Sequence, residues 1–299
     1  MSKLAIMFPG QGAQTVGMGR EWYESSQAVR ELYEQANEVV GYDLKKLCFE
    51  GPAEVLDTTA QSQPAIFLTS WAALQILRES DSELIASCEA AAGLSLGEYT
   101  ALTLAGVLTF EDGLRLVKAR GEAMQKASEQ TPGGMVSILG LATEKVQELC
   151  EQARKSGLLE VANYLCPGNI VVSGENEACE QVALLAREAG AIKVVPLAVA
   201  GAFHTKLMEP AAESLREVLI TTTFSEPKLP VVSNVDVQSH GQADEIREIL
   251  MRQLTSPVRW EESVRLLLAD GFDTFFEVGP GRVLRGLMKR INRKVTMNP

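Results

Sequence analysis

The residues Gly93-Leu94-Ser95-Leu96-Gly97 place a serine in the G-x-S-x-G spacing of a nucleophile elbow, a strained turn between a strand and a helix. Glycines on either side leave room for the tight turn and for close approach of a substrate. The same five residues also make an ordinary Gly-Ser turn, so the reading depends on partners. Serine becomes a useful nucleophile only when a neighbouring group takes its proton, most often an imidazole. The chain has two histidines. His240 lies in the polar stretch Gln238-Ser239-His240-Gly241-Gln242 and reads as a solvated side chain. His204 follows the small apolar run Gly201-Ala202-Phe203; it is either a capping or core histidine or, by elimination, the base for Ser95. Acyl chemistry also needs rigid N–H donors for a developing oxyanion. The Leu96 N–H supplies one in any elbow of this type, and the Gln11 N–H in Gly10-Gln11-Gly12 could supply a second. That glycine loop is not a dinucleotide site, because Thr15 stands where the third glycine of G-x-G-x-x-G belongs.

The elements that must position these residues alternate between strand and helix. A short apolar strand over 4–8 runs into the Gly10 loop, amphipathic helices are predicted over 20–40 and 63–78, and a strand over 86–92 leads into the elbow. Thr109, three residues before Asp112, resembles a capping box and starts a helix to about residue 127. Pro132-Gly133-Gly134 reads as a chain break. Beyond it the order is strand 135–139, helix 143–155, strand 158–162, strand 169–173, helix 176–189 and strand 192–196, the βαββαβ pattern of a ferredoxin-like unit. Helices over 207–218, 245–254 and 260–269, strands over 231–234 and 274–278, and a helix from Arg282 complete the chain. The expected fold is therefore α/β. A large subdomain with a mostly parallel sheet comprises residues 1–128 and 198–299, interrupted by a ferredoxin-like insertion over 129–197.

Composition excludes several function classes. A net charge of −11 over 299 residues argues against nucleic acid, where lysine and arginine must neutralise phosphates. Cys48, Cys88, Cys150, Cys166 and Cys179 are scattered, odd in number and lack a C-x-x-C pair, so they read as reduced thiols of a cytoplasmic protein and not as a disulfide framework or metal site. The N-terminal apolar run is too short for a signal peptide, and no stretch approaches the ~20 apolar residues of a membrane span.

Taken together, Phe8-Pro9-Gly10-Gln11-Gly12, Gly93-x-Ser95-Leu96-Gly97-Glu98, Arg120-Gly121, Phe203-His204, Ser233-Asn234-Val235, Gln253-Leu254-Thr255-Ser256-Pro257-Val258 and Glu277-Val278-Gly279-Pro280-Gly281 resemble, in that order and nearly end to end, the malonyl-CoA:acyl carrier protein transacylases. The resemblance implies an α/β-hydrolase-like large subdomain and transfer of malonyl from malonyl-CoA to the phosphopantetheine thiol of an acyl carrier protein, without a cofactor. Ser95 would be the acylated nucleophile, His204 its base, and Gln11 and Leu96 the oxyanion donors. Arg120 would clamp the malonyl carboxylate, Gln253 would be the active-site glutamine beside the histidine, and Asn163 and Phe203 would face the substrate. Without the resemblance, Arg120 would read as a helix-surface ion-pair residue. Two positions depart from the family pattern. Leu94 stands where a histidine usually precedes the nucleophile, and Leu165 replaces an amide near Asn163.

The C-terminal run Arg282, Arg285, Lys289, Arg290, Arg293, Lys294 contains no acid and reads either as a solvated helix face or as a docking surface for an acidic carrier. Alternatives to the fatty-acid enzyme are an acyltransferase serving a polyketide synthase, a serine thioesterase or esterase, and a non-catalytic carrier-binding protein. A hydrolase normally shows an acid between serine and histidine, and none there has a recognisable setting, which points to a serine–histidine dyad.

Overall fold

In the computed structural model, which describes residues 2–199 and 201–298, two sheets organise the chain. The first takes β1 (Lys3–Phe8) and β2 (Cys88–Gly93) from the N-terminal part. The second takes β3 (Gly133–Leu139), β4 (Leu159–Cys166), β5 (Asn169–Glu175) and β6 (Lys193–Pro196). The chain then returns to the first sheet with β7 (Val231–Val232), β8 (Phe272–Glu277) and β9 (Thr296–Asn298).

The first sheet has the order β7-β2-β1-β8-β9 with every neighbouring pair parallel. Parallel strands covered on both faces are buried throughout, and β1 at the centre shows this. Leu4, Ile6 and Phe8 pack into one apolar core, while Ala5 and Met7 pack into another on the opposite face. The elbow serine and the Gly10 loop both follow the C-terminal ends of adjacent strands, where α/β sheets open a crevice.

The second sheet is antiparallel with the order β4-β5-β3-β6, the strand order of a ferredoxin-like unit. Its pleat separates two environments. Val136, Ile138, Ile170 and Val172 pack with Val146, Leu149, Val182 and Ala186 from the Thr143–Ala153 and Asn176–Glu188 helices. Met135, Ser137, Asn169 and Val171 face the other way and form one wall of a cleft against the first sheet.

Several local readings need correction. The helix expected over 20–40 is two helices, Arg20–Ser25 and Gln27–Val40, because Ser26 is extended and its side chain caps the second by accepting the Val29 N–H. Residue 86 ends the short Ser82–Ala86 helix and does not start a strand. Gly133 and Gly134 do not break the chain, since they pair with Glu175 and Gly174 as the first residues of β3. The strand expected over 231–234 stops at Val232, which releases Asn234 from the ladder toward the elbow. Strand β9 and the Leu44–Glu50 helix carried no clear periodic signal.

Candidate active site

The elbow is held by sterics and by one side chain. Ser95 has φ 51°, a left-handed conformation that a non-glycine residue keeps only when its surroundings enforce it. A Cβ on Gly93 would lie 1.9 Å from the Gly97 carbonyl carbon, and one on Gly97 would lie 2.2 Å from the Phe8 carbonyl oxygen, so both positions require glycine. Asn234 then locks the turn. Its Oδ1 accepts the Ser95 N–H at 2.6 Å and its Nδ2 donates to the Gly93 carbonyl at 2.8 Å.

His204 also adopts a positive φ, 60°. Its Nε2 lies 2.8 Å from Ser95 Oγ and its Nδ1 2.9 Å from the Gln253 carbonyl oxygen. A carbonyl can only accept, so Nδ1 carries the proton and Nε2 is left as the acceptor for the serine hydroxyl. Burial, with the nearby Arg120 charge adding to it, pushes the imidazole down to about 4, which keeps it neutral and basic at ordinary pH. The group behind the histidine is thus a backbone carbonyl. His240 sits elsewhere, paired with Asp236 at 3.1 Å.

Arg120 comes from the middle of the Phe110–Gln130 helix and is only 1% exposed, which removes the helix-surface reading. Its Nη2 donates to Ser95 Oγ and to Gln253 Oε1, both at 3.0 Å, and its Nη1 donates to Gln63 Oε1 at 2.7 Å. The guanidinium lies 5.4 Å from the Tyr99 ring centroid. Every acceptor is neutral. Among the described residues no carboxylate pairs with Arg120 within 4.0 Å, and its Nε has no partner. The buried Glu98 carboxylate reaches Arg120 only through the Gln253 amide, so no acid touches the guanidinium directly, and a buried cation so placed is costly unless something anionic completes it.

These groups open into a cleft of about 570 Å³ between the two sheets. Ser95, His204 and Arg120 line it, as do Gln11, Leu96, Asn163 and Phe203. Among the described residues, neither the Gln11 nor the Leu96 backbone N–H donates to a protein acceptor, so both are free to serve an oxyanion. Gln253 lies beside the histidine, meeting it through its backbone carbonyl, and does not line the cleft. It is fully buried and stands behind the cleft, touching Arg120, His204 and the elbow instead. Leu94 is half-buried on the cleft wall with Val283 and Leu287 of the Val283–Ile291 helix. The exposed Arg282 and the half-buried Arg285 line a separate pocket with Gly17, Trp22 and Leu77, and Lys289 is exposed further along the helix. Its N-terminus is capped by Glu277, which accepts the Leu284 and Arg285 N–H groups at 2.8 Å each. Arg290 is already engaged with the Pro167 carbonyl of the β4–β5 turn at 3.0 Å.

Three contributors escape a reading of the sequence. Gln63 lies in no motif, and Asn234 lies in Ser233-Asn234-Val235 with no role that the motif itself assigns. Glu98, the last residue of the Gly93-x-Ser95-Leu96-Gly97-Glu98 motif and given no role by it, is 2% exposed and accepts from Gln253 Nε2 at 2.6 Å and from the Asn234 N–H at 3.2 Å. Its place in that motif, as the one charged residue of the Gly97–Leu104 helix, was the signal available.

A parallel sheet ending in an elbow serine, a neutral imidazole on that serine and two free N–H groups beside it define an acyl-transferring α/β protein. The chain belongs to the acyl transferase domain family, whose model matches residues 6–296. It is 44% identical over 296 residues to the malonyl CoA-acyl carrier protein transacylase of Bacillus subtilis (strain 168), covering 99% of this chain and 92% of that one. The acyl-carrier-protein-S-malonyltransferase of Bartonella henselae superposes with a TM-score of 0.95 at 37% identity, covering 100% of this chain and 95% of that one. A malonyl-transacylase solved in complex with its type II polyketide-synthase acyl-carrier protein also superposes at 0.95, with 40% identity over 99% of this chain and 95% of that one.

Proposed function

We propose that this chain is an acyl-carrier-protein S-malonyltransferase that moves malonyl from malonyl-CoA to the phosphopantetheine thiol of acyl carrier protein, supplying fatty-acid synthesis in the cytoplasm. The family and its malonyl-transferring relatives support the reaction class. The observation that carries the substrate is the buried Arg120 guanidinium, which has only neutral partners and lies 3.0 Å from the candidate nucleophile. A malonyl thioester ends in the carboxylate that such a cation lacks, and a guanidinium can grip both carboxylate oxygens.

The steps follow from the geometry. Ser95 Oγ attacks the thioester carbonyl as its proton passes to His204 Nε2, and the Gln253 carbonyl stabilises the imidazolium through Nδ1–H. The Gln11 and Leu96 N–H groups receive the oxyanion. Collapse breaks the carbon–sulfur bond, and His204 returns its proton to the departing coenzyme A thiolate, leaving malonyl-Ser95. The carrier thiol then loses its proton to His204 and attacks the ester, and Ser95 recovers a proton as it leaves. Both half-reactions use the same groups and need no cofactor beyond the thioester substrates. The exposed Arg282 and Lys289, with Arg285, offer positive charge on and beside the helix whose Val283 and Leu287 line the cleft, and an acidic carrier would dock there.

Intact-mass analysis tests the reading. Malonyl-CoA alone should leave one malonyl group on Ser95, holo acyl carrier protein should remove it, and Ser95→Ala should never acquire it. The thiols are poor competitors, since burial raises Cys48 and Cys150 to about 12 and Cys88 to about 11. An adduct mapped to a cysteine, or loss of the acyl group to water as fast as to the carrier, would sink the proposal.

A further inference from the structure

We infer that Glu98 is a positioning residue for malonyl selectivity: its carboxylate fixes which way the Gln253 amide points, and the amide in turn aims the Arg120 guanidinium at the acyl group on Ser95. The inference rests on the malonyl-transfer reading above.

The wiring is explicit. Glu98 Oε2 accepts from Gln253 Nε2 at 2.6 Å, and the same Nε2 donates to the Ser95 carbonyl at 3.1 Å. A primary amide has one donating and one accepting end, so committing Nε2 to the elbow leaves Oε1 toward Arg120, where it accepts from Nη2 at 3.0 Å. An ionised carboxylate can only accept, so it permits this orientation alone. A protonated carboxyl could donate to Oε1, turning Nε2 toward the guanidinium and setting donor against donor. The contact of the Gln253 backbone carbonyl with His204 does not depend on the amide, and Asn234 pins the elbow through its own side chain. Glu98 also accepts the Asn234 N–H at 3.2 Å, but the elbow is locked by the Asn234 side chain, so losing the carboxylate falls first on the arginine.

The charged and titratable groups around Glu98 are Arg120, which favours its ionised form, Asp236, which opposes it, and Tyr99 and His204 nearby; burial dominates and lifts the carboxyl to about 7. An arrangement that depends on an ionised Glu98 is lost as pH falls through that value.

The test compares wild type, Glu98→Gln, Glu98→Leu and Arg120→Ala, each assayed for kcat/KM with malonyl-CoA and acetyl-CoA from pH 5 to 9. Glutamine, like the protonated acid, offers both an acceptor and a donor, and it does not titrate; leucine offers neither. Glu98→Leu should lower the malonyl-to-acetyl ratio at least tenfold while acetyl transfer stays within about threefold. Glu98→Gln, a fixed mimic of the protonated acid, should bring the ratio at pH 8 down to within about threefold of the wild-type value at pH 5 and abolish the decline in malonyl transfer as pH drops through about 7. Equal losses for both acyl groups in Glu98→Leu, or a decline near 7 that persists in Glu98→Gln, would overturn the inference. Should Glu98→Leu fail to fold, the Glu98→Gln profile decides. Arg120→Ala separates the two levels. If its ratio collapses while the Glu98 variants keep theirs, malonyl recognition stands and Glu98 has no part in it; if Arg120→Ala also keeps its ratio, the reading of the substrate has failed.

Discussion

Replacing Arg120 with alanine isolates the interaction that sets the acyl preference. In the free protein the guanidinium is 1% exposed and donates to three neutral oxygens, on Gln63, Gln253 and Ser95. With malonyl bound it would gain a carboxylate in a site shielded from water. Truncating one partner of a buried, hydrogen-bonded charge pair costs about 2–5 kcal/mol, because the other charge is left desolvated. At about 1.4 kcal/mol per factor of ten, malonyl kcat/KM should fall by about 30-fold to several thousand-fold. Acetyl carries no charge and forfeits only the hydrogen bond from Nη2 to Ser95 Oγ, a net effect of about 1 kcal/mol, or about fivefold. The malonyl-to-acetyl ratio should therefore drop by about one to three orders of magnitude. Arg120→Lys should recover only part of it, since an ammonium keeps the charge but not the planar fork. The assay is kcat/KM for both thioesters in wild type and both variants, with thermal melts to verify folding. An unchanged ratio in a folded Arg120→Ala protein would refute the argument and return Arg120 to a structural role.

Two further outcomes follow from the site. His204→Ala should slow Ser95 acylation by about 10²–10⁴-fold while His240→Ala changes little, and wild-type kcat/KM with acetyl-CoA should stay level below pH 6.5 and fall only as His204 gains its proton near 4; a fall centred on 6.5 would mean an imidazole that is not buried as described. Leu94→His, on the half-buried cleft wall, should give a folded protein with equal or faster malonyl transfer, measured by stopped-flow acylation; a large loss would mean the wall is packed around the leucine.

The elements and the elbow were legible in the sequence because their causes are local. An unbroken apolar run over 4–8 places β1 in the centre of a sheet covered on both faces, Thr109 caps its helix by accepting the Asp112 N–H at 3.1 Å, and Gly93 and Gly97 allow a turn that any side chain would block. Strand order in the inserted unit also followed, since two split βαβ halves leave few ways to pair. Ser95 stood out through its flanking glycines, and His204 by elimination from two histidines. The assignment of Arg120 needed the whole pattern of motifs, because arginine on a helix is usually solvated.

What only the tertiary structure decided is how the charges are held. Ser95 meets His204 across 109 positions of chain, Gln253 across 158 and Asn234 across 139. Such meetings are set by how two sheets pack, and no local spacing encodes them. The group behind the histidine is a backbone carbonyl, which every residue has and no sequence pattern marks. Glu98 reads along the chain as a favourable charge at a helix start, yet in the fold it is the buried acceptor beneath the site. Whether a polar side chain meets water or a buried donor depends on what packs over it, and that is a property of the assembled sheets alone.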